Sequence, residues 1–216
     1  MRNTIALSLI VVLVQFTGCG GSGNGSQSAT VRILSTQFSP KVLTIRTGDR
    51  VTWVNTDTSS HKIVSGTLLP TTNPQTRTPI ISINQNNTFS PATFQANLGD
   101  TIQWQNNRVS DFTMDILDET SSLVASLQFV RSGQVIQFSG FPTAGFYTFQ
   151  QRNNPLFAGT VTIFGIPNPN GAFQSRTLNP GDSFTTEFNS PGTFNYFDLN
   201  EADPNRSFIT GKVIVQ

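Results

Sequence analysis

A set of residues in the first third of this chain returns, without a gap, 51 positions further on. Phe38-Ser39-Pro40, Gly48-Asp49, Trp53 and Asn55 come back as Phe89-Ser90-Pro91, Gly99-Asp100, Trp104 and Asn106. Self-similarity at a fixed period means that one structural unit has been built twice. A second repeat follows, in which Gly133, Gly145-Phe146-Tyr147 and Gly159-Thr160-Val161 correspond to Gly181, Gly192-Thr193-Phe194 and Gly211-Lys212-Val213. The order along the chain is therefore first half, first half, second half, second half. Simple tandem units would give another order. Two arrangements remain: one unit inserted within the other, or two units that exchange halves.

The segments carrying the repeats read as strands. VLTIRTGDRVTWVN, TFQANLGDTIQWQN, QVIQFSGFPTAGFYTF and TGKVIVQ alternate apolar with polar residues, and Gly, Pro, Asn and Asp punctuate them. No stretch shows a sustained helical period. Short alternating strands with frequent turn signals predict an all-β chain of sandwiches, and 18 Phe with two Trp supply the apolar area to fill them. Charged residues make up only 12% and the formal net charge is +1. No basic field exists to recruit nucleic acid.

The N-terminus has a different character. Arg2 precedes an apolar stretch from Ile5 to Val14, too short for a bilayer-spanning helix of about 20 residues but suited to the core of a signal peptide. Phe16-Thr17-Gly18-Cys19 resembles the lipobox of bacterial lipoproteins, departing from it in having Phe16 where Leu is usual. The resemblance implies that residues 1–18 are removed and that Cys19, the only cysteine, carries lipid that holds the protein to a bilayer. The competing reading is an ordinary secretory signal followed by an unmodified thiol, a liability in an oxidising compartment. Residues 19–28, rich in Gly and Ser, form a tether. Gly20 rather than Asp after Cys19 gives no inner-membrane retention signal by the family rule, so the expected location is the outer membrane or the cell surface.

The repeated blocks resemble the cupredoxins, the plastocyanin and azurin family of blue-copper sandwiches. FSPKVLTIRTGDRVTWVNTDTSSHKIVSG (38–66) carries the first half of that pattern. GFYTFQQRNNPLFAGTVTI (145–163) and residues 180–215 carry the second. The resemblance covers nearly all of residues 30–216 and implies two Greek-key β-sandwiches. It also bears on their order. The family phrase that follows the His loop is missing after Leu69, yet Gly171 to Ser175 and Leu178 to Phe184 supply it about a hundred residues later. We therefore expect an outer domain of residues 29–70 plus 167–216, interrupted by an inner domain of 79–165, with junctions at the Pro- and Asn-rich stretches 70–79 and 166–171. Exchanged halves are the alternative.

Blue copper takes two imidazoles, a thiolate and a weak axial Met. By the resemblance, the inner domain's Cys, second His and Met positions fall on Gln151, Asn154 and Phe157, and its first His position on Phe112. None of these binds copper well. In the outer domain the first His position holds His61, the only histidine, eight residues after Trp53. The Cys position falls on Asp198, the second His on Glu201 or Asp203, and the axial ligand near Ile209. Two readings of His61 stand: a remnant hydrogen-bonded to a neighbour such as Asp198, or a ligand that joins Asp198 and Glu201 or Asp203 around copper or zinc.

Enzyme chemistry finds no foothold. There is no Cys-His dyad, no Gly-x-Ser-x-Gly elbow and no phosphate-binding loop, and Asp115, Asp118 and Glu119 read as a surface turn rather than a calcium loop. The expectation is a non-enzymatic envelope lipoprotein without a cofactor, a scaffold for an unidentified protein partner. The alternative is a metal-binding or electron-transfer accessory protein built on His61.

Overall fold

The computed structural model describes residues 26–72, 74, 80–129, 131–199 and 207–216. Cys19, Glu201 and Asp203 lie outside these, as do the leader, most of the tether and part of the 70–79 junction.

Every described element is a strand, and the strands come in three runs. The first is β1 (Ser28–Ile33), β2 (Phe38–Ser39), β3 (Val42–Ile45), β4 (Arg50–Asn55) and β5 (Ile63–Leu69). The second is β6 (Ile80–Ile83), β7 (Phe89–Ser90), β8 (Thr93–Asn97), β9 (Ile102–Asn106), β10 (Phe112–Asp118), β11 (Leu123–Phe129), β12 (Val135–Phe138), β13 (Gly145–Gln151) and β14 (Asn154–Phe164). The third is β15 (Ile166–Gln174), β16 (Ser183–Glu187), β17 (Gly192–Asp198) and β18 (Thr210–Val215).

The first and third runs share two sheets, ordered β16-β4-β1-β2 and β15-β5-β17-β18-β3; the second run makes the other two, β12-β9-β6-β7 and β11-β10-β13-β14-β8. Each outer strand has an inner counterpart at the same place in its sheet. Two cupredoxin-like Greek-key sandwiches result, one inserted within the other. Exchanged halves would have placed second-run strands in a sheet with strands of the first or third run, and no sheet does so.

The repeated residues explain themselves as parts of this frame. Gly48 and Gly99 turn with φ of 88° and 96°, a region that favours glycine. The following aspartates hold these turns: Asp49 accepts the backbone N–H of Arg46 at 2.9 Å, and Asp100 that of Asn97 at 2.8 Å. Trp53 and Trp104 are fully buried, each beside an aliphatic residue of the parallel neighbour strand, Val31 or Ile81. Trp53 meets Tyr196 edge-on at 5.2 Å, and Trp104 meets Phe149 at 5.9 Å. Such pairs add about 0.5–1.5 kcal/mol beyond their burial.

Two stretches differ from their sequence reading. The Pro- and Asn-rich stretch 166–171 is not a bare connection: it opens β15, antiparallel to β5, with Pro167 opposite Leu68 and Pro169 opposite Gly66. Proline is tolerated there because β15 lies at a sheet edge, where a missing N–H breaks no ladder. Asp115 and Asp118 belong to strand β10, and only Glu119 lies in the turn.

Part of the outward face of the outer five-stranded sheet is covered rather than solvated. Phe197 and Val64, next to core-facing positions in their strands, are 0% and 3% exposed. Lys41 pairs with Glu119 across the two sandwiches, Gly165 and Ser207 exchange backbone hydrogen bonds, and the Phe164 and Phe208 rings meet at 5.4 Å.

Candidate functional site

The Asn shared by the two repeats builds the loop end of each sandwich. Asn55 donates to the carbonyls of Ser59 at 2.7 Å and Leu178 at 2.9 Å, and its Oδ1 accepts the N–H of Asp57 at 3.0 Å. Asn106 does the same with Ser110 at 3.1 Å, Arg131 at 3.2 Å and the N–H of Arg108 at 3.0 Å. One buried amide thus fixes the loop after the Trp strand and ties it to the second half of the fold. It also pins the backbone of the residue two places further on, Asp57 in the outer copy and Arg108 in the inner.

In the outer copy that loop delivers His61, which is 6% exposed and held by reciprocal backbone hydrogen bonds with Leu178. Its Nδ1 lies 2.7 Å from Asp198 Oδ2 and its Nε2 lies 3.1 Å from Asp57 Oδ2. The other Asp198 oxygen accepts the N–H of Lys62 at 2.8 Å. Two acceptors facing both ring nitrogens are fully satisfied only by the doubly protonated imidazolium. Burial works against that charge, but Asp198 and Asp57 together outweigh it and raise the pKa of His61 above 6.5. Asp57 shifts down from 3.8, through the Thr58 backbone N–H against desolvation, with His61 adding to the effect.

Copper, which the resemblance implies, does not fit this donor set. A metal needs an unprotonated nitrogen lone pair, and here each nitrogen faces its own carboxylate on opposite sides of the ring. Asp57 and Asp198 cannot both join one nitrogen around one ion. No thiolate lies among the described residues, and the axial position implied by the resemblance falls on the buried aliphatic Ile209. Among the described residues no group of three or more His, Cys, Asp or Glu is arranged to hold a metal ion. Glu201 and Asp203, which lie outside those residues, are not placed.

The inner end has the opposite chemistry. Phe112 and Phe157 are each 2% exposed, and their rings meet at 5.2 Å. Phe89 closes on Phe157 at 4.5 Å. The Arg108 guanidinium sits 5.6 Å from the Phe112 ring centroid and 5.7 Å from that of Phe157, an attractive cation–π geometry. Its Nη1 donates to Asn87 Oδ1 at 2.6 Å and to the Asn84 carbonyl at 3.2 Å. Gln151 and Asn154 face each other at 3.4 Å across the hairpin between β13 and β14. Phenyl rings, amides and a guanidinium offer copper neither imidazole nor thiolate.

Asp57 and Arg108 escaped the sequence reading: the 51-residue offset puts them in register, but as unlike residues they form no repeat. Asp115, Asp118 and Glu119 do not converge on a common point. Asp115 binds Arg152 at 2.8 Å, Asp118 caps its own turn through the N–H groups of Thr120 and Ser122, and Glu119 reaches Lys41.

No protein-family model and no curated protein matches the chain. Among solved structures it is similar to a purple cupredoxin from Nitrosopumilus maritimus, at 19% identity and a TM-score of 0.34 over 42% of this chain and 99% of that one. It is also similar to a mutant amicyanin in the Cu(I) form, at 17% identity and a TM-score of 0.34 over 47% and 98% of the two chains. A reduced auracyanin from the photosynthetic bacterium Roseiflexus castenholzii gives 15%, 0.33, 42% and 98%. At such identities the likeness concerns fold alone.

Proposed function

We propose that this chain is a lipid-anchored cell-envelope protein whose two cupredoxin-like sandwiches serve as a non-catalytic scaffold for binding or assembly. One observation carries this reading: the described ligand positions at both loop ends are filled by groups that satisfy one another. The inner end is a phenyl pair under a guanidinium, and the outer end engages both nitrogens of His61 with separate carboxylates. Fold frames outlive the sites built on them, and function follows the site. The leader and the lipobox-like Phe16 to Cys19 support the anchor.

Titration of the full chain with Cu(II) and Zn(II), beside His61→Ala, tests the scaffold reading. It predicts no stoichiometric binding in either protein. One equivalent bound by the parent chain and lost in His61→Ala replaces it with a metal-binding accessory role. Membrane fractionation tests the anchor separately: Cys19→Ser is expected to abolish lipid incorporation, and undiminished labelling would refute lipidation at Cys19.

A further inference from the structure

The surface between the two sandwiches holds a cavity of about 300 Å³, the lower bound of the roughly 300–1,000 Å³ typical of small-ligand sites. Its floor is the outward face of the outer five-stranded sheet, and loops of the inner sandwich form its opposite wall. Val42, Leu68, Leu98 and Ala144 supply apolar lining, and Lys41 and Lys212 bring ammonium groups. The two lysines are neighbours by construction. Strands β3 and β18 run parallel, and the Lys212 N–H donates to the Lys41 carbonyl at 2.8 Å. Strand alternation points Lys212 away from the core, since Gly211 and Val213 on either side are buried.

Charge then separates the pair. Lys41 is answered by Glu119, whose side chain is only 6% exposed. Lys212 makes no ion pair among the described residues. Lys41 also feels the charge of Asp118, so Lys212 is the ammonium of the cleft that has no ion-pair partner among the described residues, beside an apolar wall where a charge pair is stronger than on an open surface. Among the described residues lining the cleft, no arginine fork or helix N-terminus is present to favour a phosphate.

We propose that this cleft binds a small organic monoanion, a carboxylate on a short apolar chain, with Lys212 pairing the carboxylate and Val42, Leu68 and Leu98 taking the chain. The site is independent of the loop ends and couples the two sandwiches, because its walls come from both.

Sodium hexanoate and its uncharged counterpart hexan-1-ol are the probes, titrated calorimetrically into the full chain in lipid nanodiscs with empty nanodiscs subtracted. The expected result is saturable one-to-one hexanoate binding, weakened at least about tenfold by Lys212→Met, as loss of a hydrogen bond to a charged group implies. Lys212→Met keeps the apolar stem and lies on an outward strand position, so the fold is retained. Lys212→Arg restores binding, and hexan-1-ol binds more weakly and ignores the substitution. Hexanoate that does not saturate, an unchanged affinity in Lys212→Met, or hexan-1-ol binding as tightly as hexanoate would each overturn the proposal.

Discussion

The two loop ends of this molecule stand on the same strand order, behind the same Trp and the same clamping Asn, yet their chemistry is opposite. Where the outer end sets Asp57, His61 and Asp198 in a row of alternating charge, the inner end sets Arg108 over Phe112 and Phe157. Residue by residue, a carboxylate stands opposite a guanidinium and an imidazole opposite a phenyl ring. The difference teaches that the frame does not depend on what fills this end. Asn55 and Asn106 hold the loops, the Gly-Asp turns hold the far end, and the aromatic cores hold the sheets together. The filling is then free to satisfy itself by ion pairing in one copy and by ring packing in the other.

If that is right, the two ends should fail differently. Phe157→Ala opens a cavity in the inner core and should destabilise it by about 3–5 kcal/mol. Hydrogen exchange read segment by segment should show protection lost in β6 to β14 and kept in β1 to β5. Equal loss in both sandwiches would mean that they unfold as one unit and would blunt the comparison.

Asp198→Ala removes the buried partner of His61 Nδ1 and should cost the outer sandwich about 1–3 kcal/mol, the penalty for stranding a buried donor. The pKa of His61 should fall in the same variant. A pKa that stays raised would assign the effect to Asp57 alone.

The pH response is the smallest expected effect and has a definite sign. The folded pKa of His61 lies above its ordinary 6.5, so the stability it contributes is complete below that value and is lost as pH rises through the folded pKa. Asp57, with its pKa lowered from 3.8, contributes above that value and loses its share only as pH falls through its own folded pKa. Chemical denaturation from pH 6 to 9 should therefore show the outer sandwich weakening with rising pH. His61→Gln should remove that slope, and the inner core should lack it. A slope that survives His61→Gln would place its origin elsewhere.

Much of the frame was legible because it was written twice. The offset of 51 residues fixed Trp53 with Trp104 and Asn55 with Asn106, and the order of the halves pointed to insertion. The edge strand β15 was hidden by Pro167 and Pro169, which read as a linker until a sheet edge made them harmless. His61 and Asp198 could be aligned by counting from Trp53 and from Gly192. Asp57 could not be singled out, because an Asp in a Ser- and Thr-rich loop looks like any solvated carboxylate until Asn55 pins its backbone. The Lys41–Glu119 pair and the cleft beside it left no trace in the sequence, since they depend on how the inserted sandwich packs against the sheet that carries it.

The central claim is that His61 is fully engaged by two carboxylates and has no lone pair to offer. Nitrogen NMR of the imidazole, in the full chain at pH 6 with and without one equivalent of Zn(II) or Cu(II), tests it most directly. The account predicts both ring nitrogens protonated and resonances that the metal leaves unmoved. A single nitrogen losing its proton and shifting or broadening on addition of one equivalent would contradict it.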